Sequence, residues 1–326
     1  INKFGRNVIK IRNLFEKTKH IPIPLLPCML GAYTLSNIYS GLGFTFIRHF
    51  TVFLAIVVLF AYLTKILIHP KLIKDEYLNP MTSSLYPGIC MVCMFIGAYI
   101  YDYFNILGKV IWLIAIIFHI IHIIVFTYLH FIKSRDINMF LPTWFVTYNG
   151  IMVSCVVGGN ISGNGFLKYI VYYGIFIYFL LLPIMLWRLV KFEIKDTMQH
   201  GTAILLGPCS LCIVSYINII KNPNIVLVWI LYICVLLSLI YVLVRLPKFF
   251  SYAFTPAFAG LTFPMAIGTV ATQKMIFFLN NTRYESIAKI FKQLEGVQIY
   301  ITTAIIGFVL FNFVRYLRLN FTNNII

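Results

Sequence analysis

The sequence predicts an all-α polytopic membrane protein, with ten transmembrane helices arranged as five helical hairpins in a quasi-five-fold ring around a central pore. Three observations carry this prediction. First, 61% of the 326 residues are hydrophobic and 11% are charged, which is too little polar surface to cover a soluble globule of that size. Second, apolar runs of about 20 residues, the length that crosses roughly 30 Å of hydrocarbon, recur between short polar breaks. Third, the runs alternate in character, one rich in Pro and small residues and the next bulky. Barrel strands do not fit, because a segment such as VIWLIAIIFHIIHIIVFTYL is apolar on every side instead of alternating.

Taken in order, the spans are expected at 21–39, 46–68, 82–101, 109–132, 142–158, 166–190, 202–220, 225–246, 254–279 and 297–317. The odd ones read IPIPLLPCMLGAYTLS, MTSSLYPGICMVCMFIGAY, LPTWFVTYNGIMVSCVVGG, GTAILLGPCSLCIVSYI and FTPAFAGLTFPMAIGTVAT. The even ones are bulky, as in FTVFLAIVVLFAYLTKILI and GIFIYFLLLPIMLWRLV. Pro27, Pro87, Pro208 and Pro264 lie well inside four of the five odd runs. An internal Pro frees a carbonyl, which hydrocarbon tolerates only against protein or a water-filled cavity, so the odd spans are expected to enclose the path and the even ones to face lipid. The repeat is a helical hairpin occurring five times.

Residues 1–20 form a basic segment, 21–317 the transmembrane domain and 318–326 a tail. The basic stretch runs into an apolar segment broken by Pro22, Pro24 and Pro27 without a small-residue cleavage pattern, so the first span is expected to be retained. The connection 280–296 is expected as a loop or a short surface helix with Ile287, Ile290, Phe291 and Leu294 on one face.

The net charge of +17 is distributed as a membrane protein distributes it, not as a nucleic-acid binder does. With ten spans, eighteen Lys and Arg, among them Lys3, Arg6, Lys10, Arg12 and Arg135, fall on the side holding both termini, and eight, including Arg283, on the other. The positive-inside bias then puts both termini in the cytoplasm of a cell membrane, with the basic face toward anionic lipid and cytoplasmic anions. Trp112, Trp144, Trp187 and Trp229 fall near span ends and are expected in interfacial belts.

Within 254–273 the small residues Gly260, Ala266, Gly268 and Ala271 and the hydroxyls of Thr262, Thr269 and Thr272 leave little side chain, as a pore wall would. Phe263, beside Pro264, is the bulky exception; it reads either as a packing residue or as a ring set across a lumen. At this stretch and at 141–150 the chain resembles the tellurite-resistance/dicarboxylate transporter family, which includes bacterial TehA-type channels and plant slow-type anion channels. The resemblance implies five hairpins around a pore, a homotrimer, and an aromatic gate in the ninth helix, which falls on Phe263 of Thr262-Phe263-Pro264. The family's fifth-helix pattern PxWFxPPxG is matched by Pro142, Trp144, Phe145 and Gly150, while Thr147 and Tyr148 replace its two prolines. That departure brings Tyr148 and Asn149 to mid-membrane depth. The expected lining is therefore Pro27, Pro87, Tyr148, Asn149, Gly150, Pro208, Thr262, Pro264, Gly268 and Thr269.

All nine carboxylates lie at span ends or in loops, and no Lys or Arg sits mid-span in an odd run. Weak donors alone would meet a substrate, which suits small monovalent anions such as nitrate and chloride that must leave as readily as they enter. The alternative is a secondary transporter exporting sulfite, tellurite or C4-dicarboxylates such as malate. His119 and His122 share a helical face and read as a packed pair or, with further ligands, a metal or pH site. Cys90, Cys93, Cys209 and Cys212, with Cys28 and Cys155, could pass a thiophilic species or serve as the small apolar residues that inner helices need. No nucleophile–base pair, phosphate loop or zinc spacing is present, so neither catalysis nor a cofactor is expected.

Overall fold

The structure, a computed structural model, describes residues 15–134, 136–162, 165–280, 282 and 284–322. Lys3, Arg6, Lys10, Arg12, Arg135 and Arg283 of the charge count, most of the segment 1–20 and the end of the tail lie outside the described residues. All assigned secondary structure among the described residues is helical: α1 (Leu25–Gly41), α2 (Thr45–Ile68), α3 (Pro87–Tyr101), α4 (Asn105–Phe126), α5 (Trp144–Asn149), α6 (Val153–Val157), α7 (Leu167–Lys191), α8 (Leu206–Ile219), α9 (Ile225–Ser251), α10 (Thr262–Asn280) and α11 (Glu285–Thr322), with further helical segments between, among them Pro70–Leu78 and Thr127–Ser134. Among the described residues, seven helices are long and apolar enough to cross a membrane.

Burial separates the two kinds of segment. The small-residue stretches Pro80–Tyr101 and Asp196–Ile219 are 67% and 89% buried, whereas the bulky helices α2, α4, α7, α9 and α11 are 28% to 33% buried. Each small-residue segment packs on the bulky helix that follows it: α1 on α2, α3 on α4, α5 and α6 on α7, α8 on α9, and α10 on α11. The small-residue segments also pack on one another, α1 with α3, α3 with α6, α6 with α8, α8 with α10, and α10 with α1. In lipid no hydrophobic drive separates helix from solvent, so such contacts depend on close van der Waals approach, which small residues permit. Gly31 shows how close: a Cβ there would lie 2.7 Å from the backbone nitrogen of Phe263. Gly97 of α3 likewise receives the backbone of Trp112 from α4, where a Cβ would stand 2.9 Å from that nitrogen.

The prolines divide. Pro87 is the first residue of α3 and Pro27 the third of α1, in a first turn where a backbone N–H has no intrahelical partner, so neither frees a carbonyl and its fixed φ pre-sets the helix. Pro208 and Pro264 are the third residues of α8 and α10, but 3-10 helix, Asp196–Leu205 and Pro256–Leu261, leads into both without a break, so they lie inside longer helical runs as the sequence leads one to expect.

The segment without an internal Pro is interrupted too. Between α5 and α6 the chain tightens to a 3-10 turn, Gly150–Met152. The carbonyls around the break are taken up by side chains: His119 Nε2 on Thr147 O (2.9 Å), Ser154 Oγ on Ile151 O (2.7 Å), Ser215 Oγ on Met152 O (3.2 Å) and Asn218 Nδ2 on Val156 O (3.1 Å). A carbonyl only accepts, so His119 carries its proton on Nε2.

Two further expectations change. The 280–296 connection is largely helical and continuous with the last span, since α11 runs unbroken for 38 residues, about 57 Å at 1.5 Å per residue. Of the four tryptophans, Trp112 and Trp144 are buried core residues and not interfacial ones, while Trp187 is half exposed. Trp112 fills the space that Gly158 leaves open.

Candidate functional site

Lys17 Nζ donates to Phe321 O (2.8 Å), so the two ends of the described chain meet at one end of the helices. At this end a cavity of about 300 Å³ opens into the small-residue segments, and every one of them contributes to its wall. Pro24, Pro27 and Leu30 come from the start of α1; Met81, Leu85 and Met91 from the approach to α3 and from α3; Thr143, Phe145, Val146 and Gly150 from α5 and its ends. Thr197, Gly201, Ile204, Gly207, Pro208 and Leu211 come from the 3-10 helix and α8, and Thr255, Pro256, Ala257, Ala259, Gly260, Phe263 and Pro264 from the 3-10 helix and α10. None of these residues is ionisable.

Each segment enters from the same end, so residues later in a segment lie deeper. The deep liners are then Leu30, Met91, Gly150, Leu211 and the pair Phe263 and Pro264, all apolar. Phe263 is buried, and its backbone is held against Gly31. Phe258, one turn earlier, is by contrast locked in an aromatic cluster, with its ring centroid 3.9 Å from that of His200 and with Phe250, Phe254 and Phe308 around it.

Of the residues expected to line the path, Pro27, Gly150, Pro208, Phe263 and Pro264 meet at this cavity. The others are placed elsewhere. Pro87 is buried beside α1, where its neighbour Gly88 faces the Pro27 ring. The Tyr148 hydroxyl bonds Thr127 Oγ1 (3.0 Å) and its ring lies near Phe126 and Trp144, toward α4. Asn149 Nδ2 donates to Gly174 O on α7 (2.9 Å). Thr262 Oγ1 donates to Ala259 O (2.7 Å), Gly268 receives Leu206 of α8, and Thr269 Oγ1 bonds Met265 O (3.0 Å) and Thr302 Oγ1 (3.3 Å) on α11.

Sequence reasoning passed over Thr143 and Thr255. Each is the residue immediately before a helix, Thr143 ahead of α5 and Thr255 ahead of the 3-10 helix Pro256–Leu261, and neither side chain caps that helix. Both hydroxyls are buried without a protein partner. The signal was legible at Thr255-Pro256, since Thr followed by Pro is the mark of an N-cap and first helical residue.

Beside the cavity lies a charged cluster. Lys65 of α2, 1% exposed, donates to Glu76 Oε1 (2.7 Å) and to Ile21 O (2.8 Å), while the hydroxyls of Tyr62 and Tyr86 donate to Glu76 Oε2 (3.2 and 3.0 Å). Burial first, and then the charges of Lys19, Lys65, His69 and Lys17, hold His20 below its ordinary pKa.

The histidine pair packs against α5, His119 on the carbonyl of Thr147 and His122 on its hydroxyl (3.3 Å) and on Tyr77 OH (2.8 Å). Cys28, Cys155, Cys209 and Cys212 are buried and Cys90 and Cys93 partly so, all as free thiols. Among the described residues no three His, Cys, Asp or Glu side chains are grouped so as to hold a metal ion.

No curated protein matches the chain. The family model described as voltage-dependent anion channel matches residues 20–317.

Proposed function

Because the chain belongs to the voltage-dependent anion channel family, we propose that it is a gated channel for small monovalent anions, nitrate and chloride, closed by the ring of Phe263. The observation that carries this reading is the cavity to which every small-residue segment contributes, whose wall holds no charge and whose deep end holds Phe263. A neutral wall attracts a monovalent anion weakly enough to release it, and the positive field of the end bearing the termini raises the local anion concentration. A ring across the lumen blocks hydrated ions by steric closure and dewetting.

The architecture we infer is ten spans in five hairpins, the five small-residue segments forming a quasi-five-fold ring and the bulky helices its outer wall. Pairwise packing from α1 through α3, α6, α8 and α10 back to α1 supports it. Both termini face the cytoplasm in this reading, on the charge bias of the loops, and the exposed bulky faces meet lipid and the other copies of a homotrimer. Exchange of C4-dicarboxylates would call for a cationic side chain in the cavity wall, and among the described residues no Lys, Arg or His lines it.

The test is anion flux into proteoliposomes with nitrate, chloride, sulfite and malate. Phe263→Ala is expected to raise nitrate and chloride flux at least about tenfold, the change produced by removing a barrier of about 1.4 kcal/mol. Unchanged flux in a correctly assembled Phe263→Ala protein would overturn the gate, and reversal potentials that shift with pH at fixed anion gradients would overturn the uncoupled channel.

A further inference from the structure

A second recess, of about 460 Å³, lies on the outer wall of the helices between the ends of α4 and α7 and shares no lining residue with the cavity. α5 packs on both of these helices, and its Trp144 forms the floor of the groove together with Phe140. Both residues are buried, and the rings of Phe126 and Phe140 meet Trp144 edge-on at centroid distances of 4.9 Å, so the floor is packed before anything enters. The walls are Phe131 and Ile132 on one side and Leu180 and Ile184 on the other, all exposed. α4 reaches the groove as π-helix, Thr127–Ser134, a form that is rare and found mostly at functional sites.

Charge collects at one end of the groove. Lys133 follows Ile132, and Arg188 and Lys191 follow Ile184 on the same face of α7. Asp136 also lines the groove, but its Oδ1 accepts from Asn138 N (2.9 Å) and its charge acts on Arg188, whose Nη2 donates to Asn138 O (2.7 Å). That leaves Lys133 and Lys191, both exposed and neither paired among the described residues, against Glu193 beyond the end of α7. Trp187, half exposed beside Arg188, marks this level as that of lipid headgroups.

We propose that this groove binds an acidic phospholipid of the leaflet at the end bearing the termini, with an acyl chain laid over Phe140 and Trp144 and the headgroup held by Lys133 and Lys191. A lysine stem lies along apolar surface while its ammonium reaches the headgroup level, and an anionic headgroup is what that ammonium attracts. A second copy of the chain fits less well, because parallel copies would bring the same basic ends together. Trp144 lines the groove while its neighbours Thr143 and Phe145 line the cavity, so a seated lipid backs the cavity wall whatever ion the cavity passes.

The experiment melts the purified full chain in neutral detergent against rising phosphatidylglycerol, with phosphatidylcholine of the same chains and glycerol phosphate as references. Ligand that binds only the folded state raises the melting temperature in a saturable way. Phosphatidylglycerol is expected to give that rise, phosphatidylcholine a much weaker one and glycerol phosphate none. Lys133→Gln and Lys191→Gln are each expected to move the phosphatidylglycerol midpoint up about fivefold, the loss of one cation near the headgroup. Ile184→Trp, which sets an indole in the groove, is expected to move it at least about tenfold. Ile240→Trp, on the exposed face of α9, is expected to keep the wild-type midpoint.

Equal responses to the two lipids, glutamine variants with the wild-type midpoint, or one shared midpoint for the two tryptophan variants overturns the site. A rise with glycerol phosphate alone assigns the effect to free phosphate and overturns it as well. So does a loss of oligomeric mass in Ile184→Trp by light scattering, which would show that another copy covers the groove. None of these readings uses anion flux, so the lipid site and the gated channel fail separately.

Discussion

Leu85 and Tyr86 are neighbours in sequence and face two regions that treat buried polar groups in opposite ways. Leu85 lines the cavity, where the hydroxyls of Thr143 and Thr255 have no partner and nothing is charged. Tyr86 belongs to the cluster behind it, where Glu76 accepts from Lys65, Tyr62 and Tyr86, so that a nearly inaccessible ammonium and its carboxylate are jointly satisfied. The cluster's polar atoms are saturated by their neighbours, whereas the two threonine hydroxyls beside the cavity are enclosed without a partner. Saturated polar groups hold a fold together, and enclosed unpartnered ones cost it stability.

Breaking the saturated side should have the largest effect on folding. Lys65→Met leaves the carboxylate of Glu76 half enclosed among tyrosines, and stability should fall by about 3 kcal/mol, measured by thermal or denaturant unfolding in detergent. Adding Glu76→Gln should recover part of it, and a double variant no better than the single would mean the pair is not what the loss reports. Gly31→Ala comes next. Its Cβ would stand 2.7 Å from the backbone of Phe263, so α1 and α10 must part, at about 1–3 kcal/mol and with altered flux.

The sharpest form of the comparison is between two threonines. Thr262→Val removes a hydroxyl that donates to Ala259 O and should cost about 1 kcal/mol, measured by thermal unfolding in detergent. Thr143→Val removes an unpartnered hydroxyl and should be neutral or stabilising; equal stability losses would erase the distinction. At the small end, Arg48 and Asp102 pair at 2.8 Å with side chains 26% and 51% exposed, and Asp102→Asn should change stability by less than about 0.5 kcal/mol.

Composition and run length were enough to read the class of the molecule, and the alternation of small and bulky runs was enough to read which helices lie inside. Facing directions within the inner segments were not. Tyr148 and Asn149 sit in α5 between α4 and α7, surrounded by protein on all sides. Periodicity needs a contrast between a wet and a dry face, and a segment packed all round offers none. Pro208 and Pro264 were visible as prolines in apolar runs, but the change from 3-10 to α-helix two residues before each was not, since propensity does not mark that boundary. The break at Gly150 was hidden because its signal is spread over His119, Ser215 and Asn218 on other helices. Within 280–296 the apolar face was legible, but not its continuity with the last span, since that depends on Glu295 being paired with Gln273 and Lys292.

The contact at Gly31 has a mechanical meaning. There α1 comes so close to the backbone of Thr262 and Phe263 that a single added methyl would have no room. Spacing between α1 and the residue that carries the ring is therefore set by the absence of a side chain at Gly31. Just ahead of α1, Lys17 is tied to the carbonyl of Phe321 at the far end of α11. One hydrogen bond and one missing side chain thus fix the start of α1 against the end of α11 and against the backbone beside the cavity.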